Sequence, residues 1–280
     1  FGLSLRLFSK FNAEVTYYKS NTYNQTFLGN LPESTGYNSI YLQAGNVENR
    51  GWEASFGYSE RFKNGLSISS TLTFSKNINE IKEMVKDYNT EVMGVPVSIN
   101  IPEVLKDKGR TILKEGGSIH DIYATRFFKK DSQGYVLVSS DGKYEMEDGD
   151  PVYLGKTAPD FNMGWNNAIS YKGFGLSFLI NGRFGGVVTS STEAILDRYG
   201  VSQRTADARE SEGALFPGQG RVDAKTYYQM IGTGNYQTSG YYVYSATNIR
   251  LQELTFSYTM PNKWFGNVLK DVSVSFIANN

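Results

Sequence analysis

Few side chains in this sequence could carry covalent chemistry. His120 is the single histidine among 280 residues, and there is no cysteine. A Ser-His-Asp triad would have to use His120, yet no Gly-x-Ser-x-Gly elbow accompanies it, and a loop residue is the plainer reading. The missing cysteines remove thiol nucleophiles, disulfide frameworks and thiolate zinc sites. Asp141, Glu145, Glu147, Asp148 and Asp150 are oxygen donors of the type calcium takes. Lys143 and Tyr144 break the spacing of a calcium loop, so the run reads as a solvated loop. Asn181-Gly182-Arg183-Phe184-Gly185-Gly186 is glycine-rich, but the strand alternation runs through it and no helix follows, as a dinucleotide fingerprint would need. Its Gly185-Gly186 pair suits a thinned or bent strand. The expectation is a protein that is not an enzyme and that needs no cofactor and no metal. A formal net charge of +0 also argues against nucleic acid, which demands a concentrated basic surface.

What positions these residues is a pattern of period two. Trp52, Ala54, Phe56 and Tyr58 share one parity, and Glu53, Ser55, Gly57 and Ser59 the other. After Phe62-Lys63-Asn64-Gly65, Leu66, Ile68, Leu72 and Phe74 alternate with Ser67, Ser69, Thr71, Thr73 and Ser75. The design recurs at 161–171 and 174–183 around Lys172-Gly173, at 2–8 and 11–24 around Ser9-Lys10, and at 254–258 and 272–278 after Met260-Pro261-Asn262. This predicts about eight strands in four hairpins, each near the ~10 residues that a tilted membrane strand needs. Short turns alternate with long polar connections at 25–44, 79–159 and 188–242, the arrangement of outer-membrane barrels. Inside the second connection, 119–128 and 135–139 read as an extracellular hairpin. Inside the third, Ala194 to Tyr199 reads as a short helix.

Alternation fits a membrane barrel, with its apolar parity in lipid, and also a soluble sandwich, with that parity in the core. The second parity is built of Ser, Thr, Asn and Gly, which suits a crowded hydrated lumen better than an open surface. No apolar run approaches the ~20 residues of a spanning helix, and Phe1-Gly2-Leu3-Ser4 has no signal-peptide features. The mean hydropathy of -0.40 does not count against a barrel, which shows lipid only every second residue. Arg183 falls on the lumen parity and needs a partner, a plug carboxylate or a substrate. Asn162, Asn166 and Ser177 share that face. Tyr227, Tyr228, Tyr236, Tyr241, Tyr242 and Tyr244 suit sugar stacking or contact with a lid protein, or else an interfacial girdle.

Several segments resemble the SusC/RagA family of TonB-dependent outer-membrane transporters. They are Asn46-Val47-Glu48-Asn49-Arg50-Gly51-Trp52-Glu53, Leu154-Gly155-Lys156-Thr157-Ala158-Pro159-Asp160-Phe161, Tyr171-Lys172-Gly173-Phe174-Gly175-Leu176-Ser177-Phe178 and Asn181 to Gly186. Ala246-Thr247-Asn248-Ile249-Arg250-Leu251-Gln252-Glu253-Leu254 and Tyr258-Thr259-Met260-Pro261 complete the set. The resemblance implies an all-β, antiparallel transmembrane barrel of about 22 strands with a plug. Residues 1–280 would be its C-terminal portion, with the plug domain and the final strand absent. It further implies a multi-pass protein of the bacterial outer membrane. Its task would be active import of an oligosaccharide or peptide, with a SusD-like surface lipoprotein as partner, TonB engaging the N-terminal region, and SusC–SusD pairs forming a dimer. A passive porin-like barrel and a soluble carbohydrate-binding β-sandwich are the alternatives.

Overall fold

A computed structural model describes every residue except 31–35, 93, 102, 107–110, 141–143, 217–219, 233–239 and 267. The chain opens with a meander of β1 (Gly2–Leu7), β2 (Phe11–Asn30), β3 (Ser39–Arg61) and β4 (Ser67–Glu83). A long connection then carries β5 (Val85–Val92), β6 (Val95–Ile101), β7 (Glu103–Lys106), β8 (Thr111–Lys114), β9 (Asp121–Phe128) and β10 (Met146–Lys156). Strands β11 (Phe161–Tyr171) and β12 (Phe174–Phe184) follow. A second insertion holds β13 (Val187–Thr189), α1 (Ser191–Arg198), α2 (Gln203–Glu210), β14 (Ala214–Phe216), β15 (Gly220–Val222), α3 (Ala224–Ile231) and β16 (Val243–Ser245). The chain closes with β17 (Asn248–Thr259), a 3-10 turn at Asn262–Phe265 and β18 (Ser273–Asn279).

Eight of these strands form one antiparallel sheet in the order β1-β2-β3-β4-β11-β12-β17-β18, the eight read from the alternation. Turn chemistry fixes three of the hairpins. Phe8 and Ser9 both sit at φ 53, and Lys172 and Gly173 at φ 48 and 90. Both turns place two successive residues in the left-handed region, in a three-residue loop between Leu7 and Phe11 and a two-residue loop between Tyr171 and Phe174, which matches the twist of the flanking strands. A Cβ on Gly173 would lie 2.7 Å from the Thr259 carbonyl oxygen, so glycine is required there twice over. At Phe62–Gly65 the Gly65 N–H donates to Phe62 O with Gly65 at φ 87. The Gly185-Gly186 pair, at φ 74 and 79, turns the chain out of the ladder where β12 ends.

Register aligns the faces across all eight strands. Trp52 lies opposite Tyr17 and Lys76, Phe56 opposite Leu72, and Trp165 opposite Leu72 and Ile180. Phe178 opposes Leu254, and Phe256 opposes Phe276. In β17 the alternation changes phase, because the ladder slips by one residue at Gln252. That bulge puts Ile249 and Leu251 on the same side as Leu254, Phe256 and Tyr258.

Among the described residues, no second layer packs against this apolar side. Trp52, Phe56, Trp165 and Phe256 keep 44–51% of their surface exposed, and the buried apolar residues lie elsewhere in the chain. A soluble sandwich would interlock these rings with a second sheet, so the sandwich is excluded. Two rows of rings bound the side. One row runs through Tyr17–Trp52 (4.8 Å), Phe74–Phe161 (5.7 Å) and Phe161–Phe184 (4.7 Å). The other, at the short-turn end, runs through Phe11–Tyr58 (5.0 Å), Phe174–Tyr258 (4.5 Å) and Tyr258–Trp264 (6.3 Å). Along β11, from Phe161 to Tyr171, the rows are ~33 Å apart, or about 25 Å along the normal of a strand tilted by ~40°, the height of a membrane barrel's apolar band. Within the band, Trp165 donates its indole N–H to Ser70 at 3.0 Å, so that polar pair satisfies itself.

Beyond the Trp52 row the two sides exchange polarity. The outer side becomes an ion-pair ladder of Lys19–Glu48 (2.9 Å), Arg50–Glu80 (3.2 Å) and Lys82–Glu80 (2.7 Å). The inner side becomes dry, with Val47 and Ile81 fully buried. There Ser118 and Ile119 both donate to Asn79 Oδ1 at 3.0 Å. A hydrocarbon boundary at that row accounts for both changes.

Two features of the connections differ from expectation. Residues 25–44 are not an open loop, since β2 and β3 stay paired up to Asn30 and Ser39. The extracellular hairpin exists, but β9 takes β10 as its partner, from Phe128–Met146 to Asp121–Lys156. Residues 135–139 make only isolated bridges, Lys130–Val136 and Val138–Tyr144, because the longer β10 offers far more backbone pairing.

Replacing Phe178 by Arg in the intact protein should cost ~2–4 kcal/mol, the penalty for a lipid-facing charge near the bilayer midplane. Ser177→Arg, one residue away on the inner side, should stay within ~0.5 kcal/mol. Urea-dependent folding into lipid vesicles measures both.

Candidate functional site

The inner side is organised in rows set by the register. The outermost complete row is Thr16–Glu53–Ser75–Asn162–Arg183–Asn248, and the next is Glu14–Ser55–Thr73–Gly164–Asn181–Arg250. Together they line a concavity of about 700 Å³. The row below them still carries Arg6 on β1 and Glu253 on β17, and nearer the short turns the side chains become small. Ser67, Ser69, Ser170, Ser177 and Ser257 surround a hollow of about 260 Å³ near the short turns.

The charges of the upper rows are segregated. Glu14 and Glu53 stand on β2 and β3, while Arg183 and Arg250 stand on β12 and β17. Glu53 and Arg183 are three strand steps apart, ~14 Å at the usual strand spacing, too far for an ion pair. Among the described residues none of the four forms one. Arg183 donates one terminal N–H to the Thr157 carbonyl, and its Nε is buried without a partner. Ser4 donates to Glu14 at 3.4 Å. An amide network lies above: Asn49 Oδ1 accepts from Asn77 (3.1 Å) and Asn79 (3.0 Å), and Tyr18 donates to Asn77 (3.2 Å). A second hollow of about 520 Å³ joins this network and His120 to Glu53, Asn162 and Arg183. The polar surface is therefore continuous from the outer loops to the charged rows.

Of the four expected lumen residues, the structure brings Asn162 and Arg183 side by side. Asn166 lies two rows below Asn162, opposite Thr71 and Leu179, and Ser177 lies in the serine hollow. Glu14, Glu53 and Arg250 were missed. The parity of Ser55 and Thr16 already carried the signal for the two glutamates. Arg250 was hidden by the bulge at Gln252, which reverses the phase of its half-strand. Among the described residues no group of three His, Cys, Asp or Glu could hold a metal ion. In the acidic run, Asp141 lies outside the described residues and Glu145 pairs with Lys129 at 3.2 Å.

No protein-family model matches the chain. It is similar to three TonB-dependent receptors of Formosa agariphila, P3, P26 and P39, at 26%, 26% and 24% identity over 95%, 96% and 92% of its residues. It spans 27–28% of the length of those relatives. Among solved structures, the RagAB peptide transporter superposes on all of this chain with a TM-score of 0.66 at 18% identity, and the match takes in 30% of the transporter's own chain. The closed-closed state of the RagAB peptide importer gives 0.63 at 17%, with the same coverage. The chain's relatives by sequence are TonB-dependent receptors. The eight-stranded sheet is thus outer-membrane barrel wall, with lipid on its apolar side and the lumen on its polar side.

At the far end of the wall the loops have a core of their own. Phe216 meets Phe128 at 5.0 Å, Tyr227 at 5.3 Å and Tyr144 at 5.7 Å. Ser190, Ser202 and Asp223 cap α1, α2 and α3 by accepting from the N–H groups of Glu193, Thr205 and Thr226. The expected helix at Ala194 is α1. Asp197, buried at the end of α1, accepts from Ser202 (2.6 Å) and Tyr242 (3.0 Å) and ion-pairs with Arg204. Neither reading of the tyrosine cluster holds for Tyr227 or Tyr242. Both are buried loop core, unable to stack on a sugar or to form a girdle. Tyr236 lies outside the described residues.

Burial works against the Arg204 charge, but Asp197 and Glu193 outweigh it and raise its pKa. Burial, with Tyr241 beside one and Asp197 beside the other, pushes the phenols of Tyr227 and Tyr242 far up. Phenols held neutral in the folded loops stabilise them fully below the ordinary tyrosine pKa of ~10. That stability declines above it, because only the unfolded loops can then ionise. Limited proteolysis should cut the segment 190–245 far faster at pH 11 than at pH 8, and leave the strands intact. Asp197→Asn should destabilise the same segment by ~2–3 kcal/mol, less than the ~3–5 of a fully buried pair because Arg204 is partly exposed. Hydrogen exchange of α1–α3 should then speed up ~30- to 150-fold.

Proposed function

We propose that the whole receptor is an energy-coupled importer of an oligosaccharide or peptide, and that this chain supplies lumen wall and outer loops. The observation that carries the reading is the segregation of the four charges of the two upper lumen rows, none of which forms an ion pair among the described residues. A wall carrying Glu14 and Glu53 on one flank and Arg183 and Arg250 on the other is complementary to a folded insert of opposite pattern. Charge-assisted hydrogen bonds contribute roughly 1.5–3 kcal/mol each. A few such contacts hold a plug in one orientation and still let a pull from TonB displace it. The serine-lined wall near the short turns offers many weak, interchangeable hydrogen bonds. Sheet edges cannot be left open in hydrocarbon, and β1 and β18 each have a single partner among the described residues. This supports the reading of the chain as one arc of a larger barrel. A SusD-like surface lipoprotein over the loops, TonB acting through an N-terminal region and a dimer of such pairs belong to the same proposal. The similarity to the RagAB importer supports it.

Uptake of labelled oligosaccharide or peptide by cells carrying the intact receptor should stop when TonB is deleted or the proton-motive force is collapsed. Uptake that continues at the same rate would leave a passive porin instead. Arg183→Gln with Arg250→Gln should loosen the plug and raise single-channel leak conductance several-fold over the parent, measured in planar bilayers.

A further inference from the structure

We propose that the groove between α1, α2 and α3 binds an acidic sugar residue of a glycan. The site rests on the import reading only in placing these loops outside the cell. The groove holds about 210 Å³, or roughly seven waters at ~30 Å³ each, which suits one substituted sugar ring. Tyr199 and Tyr228 form its walls, and Arg198, Arg209 and Lys225 stand around it. Tyr199 is 70% exposed, an unusual state for a ring in a loop domain that buries Tyr227 and Tyr242.

The charges set the ligand class. Among the described residues none of the three cations forms an ion pair. Arg209 donates one N–H to the Gly200 carbonyl at 2.9 Å and has further donors to offer. The Arg198 guanidinium sits 5.8 Å from the centre of the Tyr199 ring, which orients it without neutralising it. Asp197, the carboxylate of the groove, is 1% exposed and is committed to Ser202, Tyr242 and Arg204, so it does not oppose an incoming anion. Hydrogen bonds from Thr226 hold the Asp223 carboxyl below the usual range, and Lys225 nearby helps to do so, but Arg198 and Arg209 leave the groove lining with net positive charge beside two aromatic faces. A carboxylate or sulfate on a ring meets both demands: guanidinium groups hold the oxyanion in a planar fork, and the ring packs on tyrosine.

The backbone favours a glycan over a peptide. Extended peptides are commonly taken up along a free strand edge, through main-chain hydrogen bonds. This groove is lined by residues on and beside three helices and offers no free strand edge among the described residues, so recognition falls chiefly to side chains.

Calorimetric titration of the intact receptor in detergent micelles tests the site with three probes: a galacturonate oligomer, the neutral galactose oligomer of the same linkage, and a hexaglutamate peptide. The acidic sugar should bind, about tenfold or more weakly at high than at low salt, since exposed charges are screened. Arg198→Gln combined with Lys225→Gln should weaken it at least tenfold. Both side chains are exposed, and an unchanged tryptic pattern of 190–245 will show that the fold survives. The charge reversal Lys225→Glu alone should abolish binding. Equal affinity for the neutral oligomer, preference for hexaglutamate, or binding untouched by the variants would each overturn the proposal. Absent acid binding in a receptor whose uptake still needs TonB removes the groove and leaves the importer. Acid binding in a receptor whose uptake ignores TonB does the reverse.

Discussion

The structure depends on one condition: a backbone in hydrocarbon must find all its hydrogen bonds within the protein, because lipid tails offer none. The eight-stranded ladder meets it between strands, and the side chains then divide by the pleat. Large rings and aliphatics go outward and hydroxyls, amides and charges inward. The condition also explains where the pattern stops. Past the Tyr17–Trp52 row water is available outside, so Lys19, Glu48, Arg50, Glu80 and Lys82 can stand on the face that held rings one turn of the pleat earlier. The inner face, covered there by residues 118–119, takes the apolar Val47 and Ile81. A boundary of the membrane is thus written in side-chain chemistry alone.

The wall and the loops are held by different forces. Strand pairing and lipid contact stabilise the wall, and no dry core is needed on either of its sides. The loops have no such support and build a conventional interior around Phe128, Phe216, Tyr227 and Tyr242, pinned by the buried Asp197–Arg204 pair. Such separation suits a transporter. A rigid wall can keep its lumen chemistry in register while the loops are reshaped for a cargo, without disturbing the membrane part.

The lumen is graded along its length. Amides near the loops pass into the segregated charges of Glu14, Glu53, Arg183 and Arg250, then the row of Arg6 and Glu253, and then serines near the short turns. In the proposed importer, strong, specific contacts would hold a plug or cargo first and weaker ones would line its exit. The grading follows from rows that cross six strands. No single strand contains it.

Strand number, turn positions and the lipid face of Trp52, Phe56, Phe74, Trp165 and Phe178 were legible in the amino-acid sequence. Period-two alternation is a local consequence of the pleat, and Lys172-Gly173 or Phe62-Lys63-Asn64-Gly65 turn the chain whatever surrounds them. Asn162 and Arg183 were placed on the lumen side for the same reason. Which residues share a row was not legible, because register is a relation between strands, and one slipped residue at Gln252 moved Arg250 into the lumen. The loops were the least legible part. The partner of β9, the burial of Tyr227 and Tyr242, and the groove beside Tyr199 are decided by contacts between segments far apart in the chain, and only the folded tertiary structure brings those together.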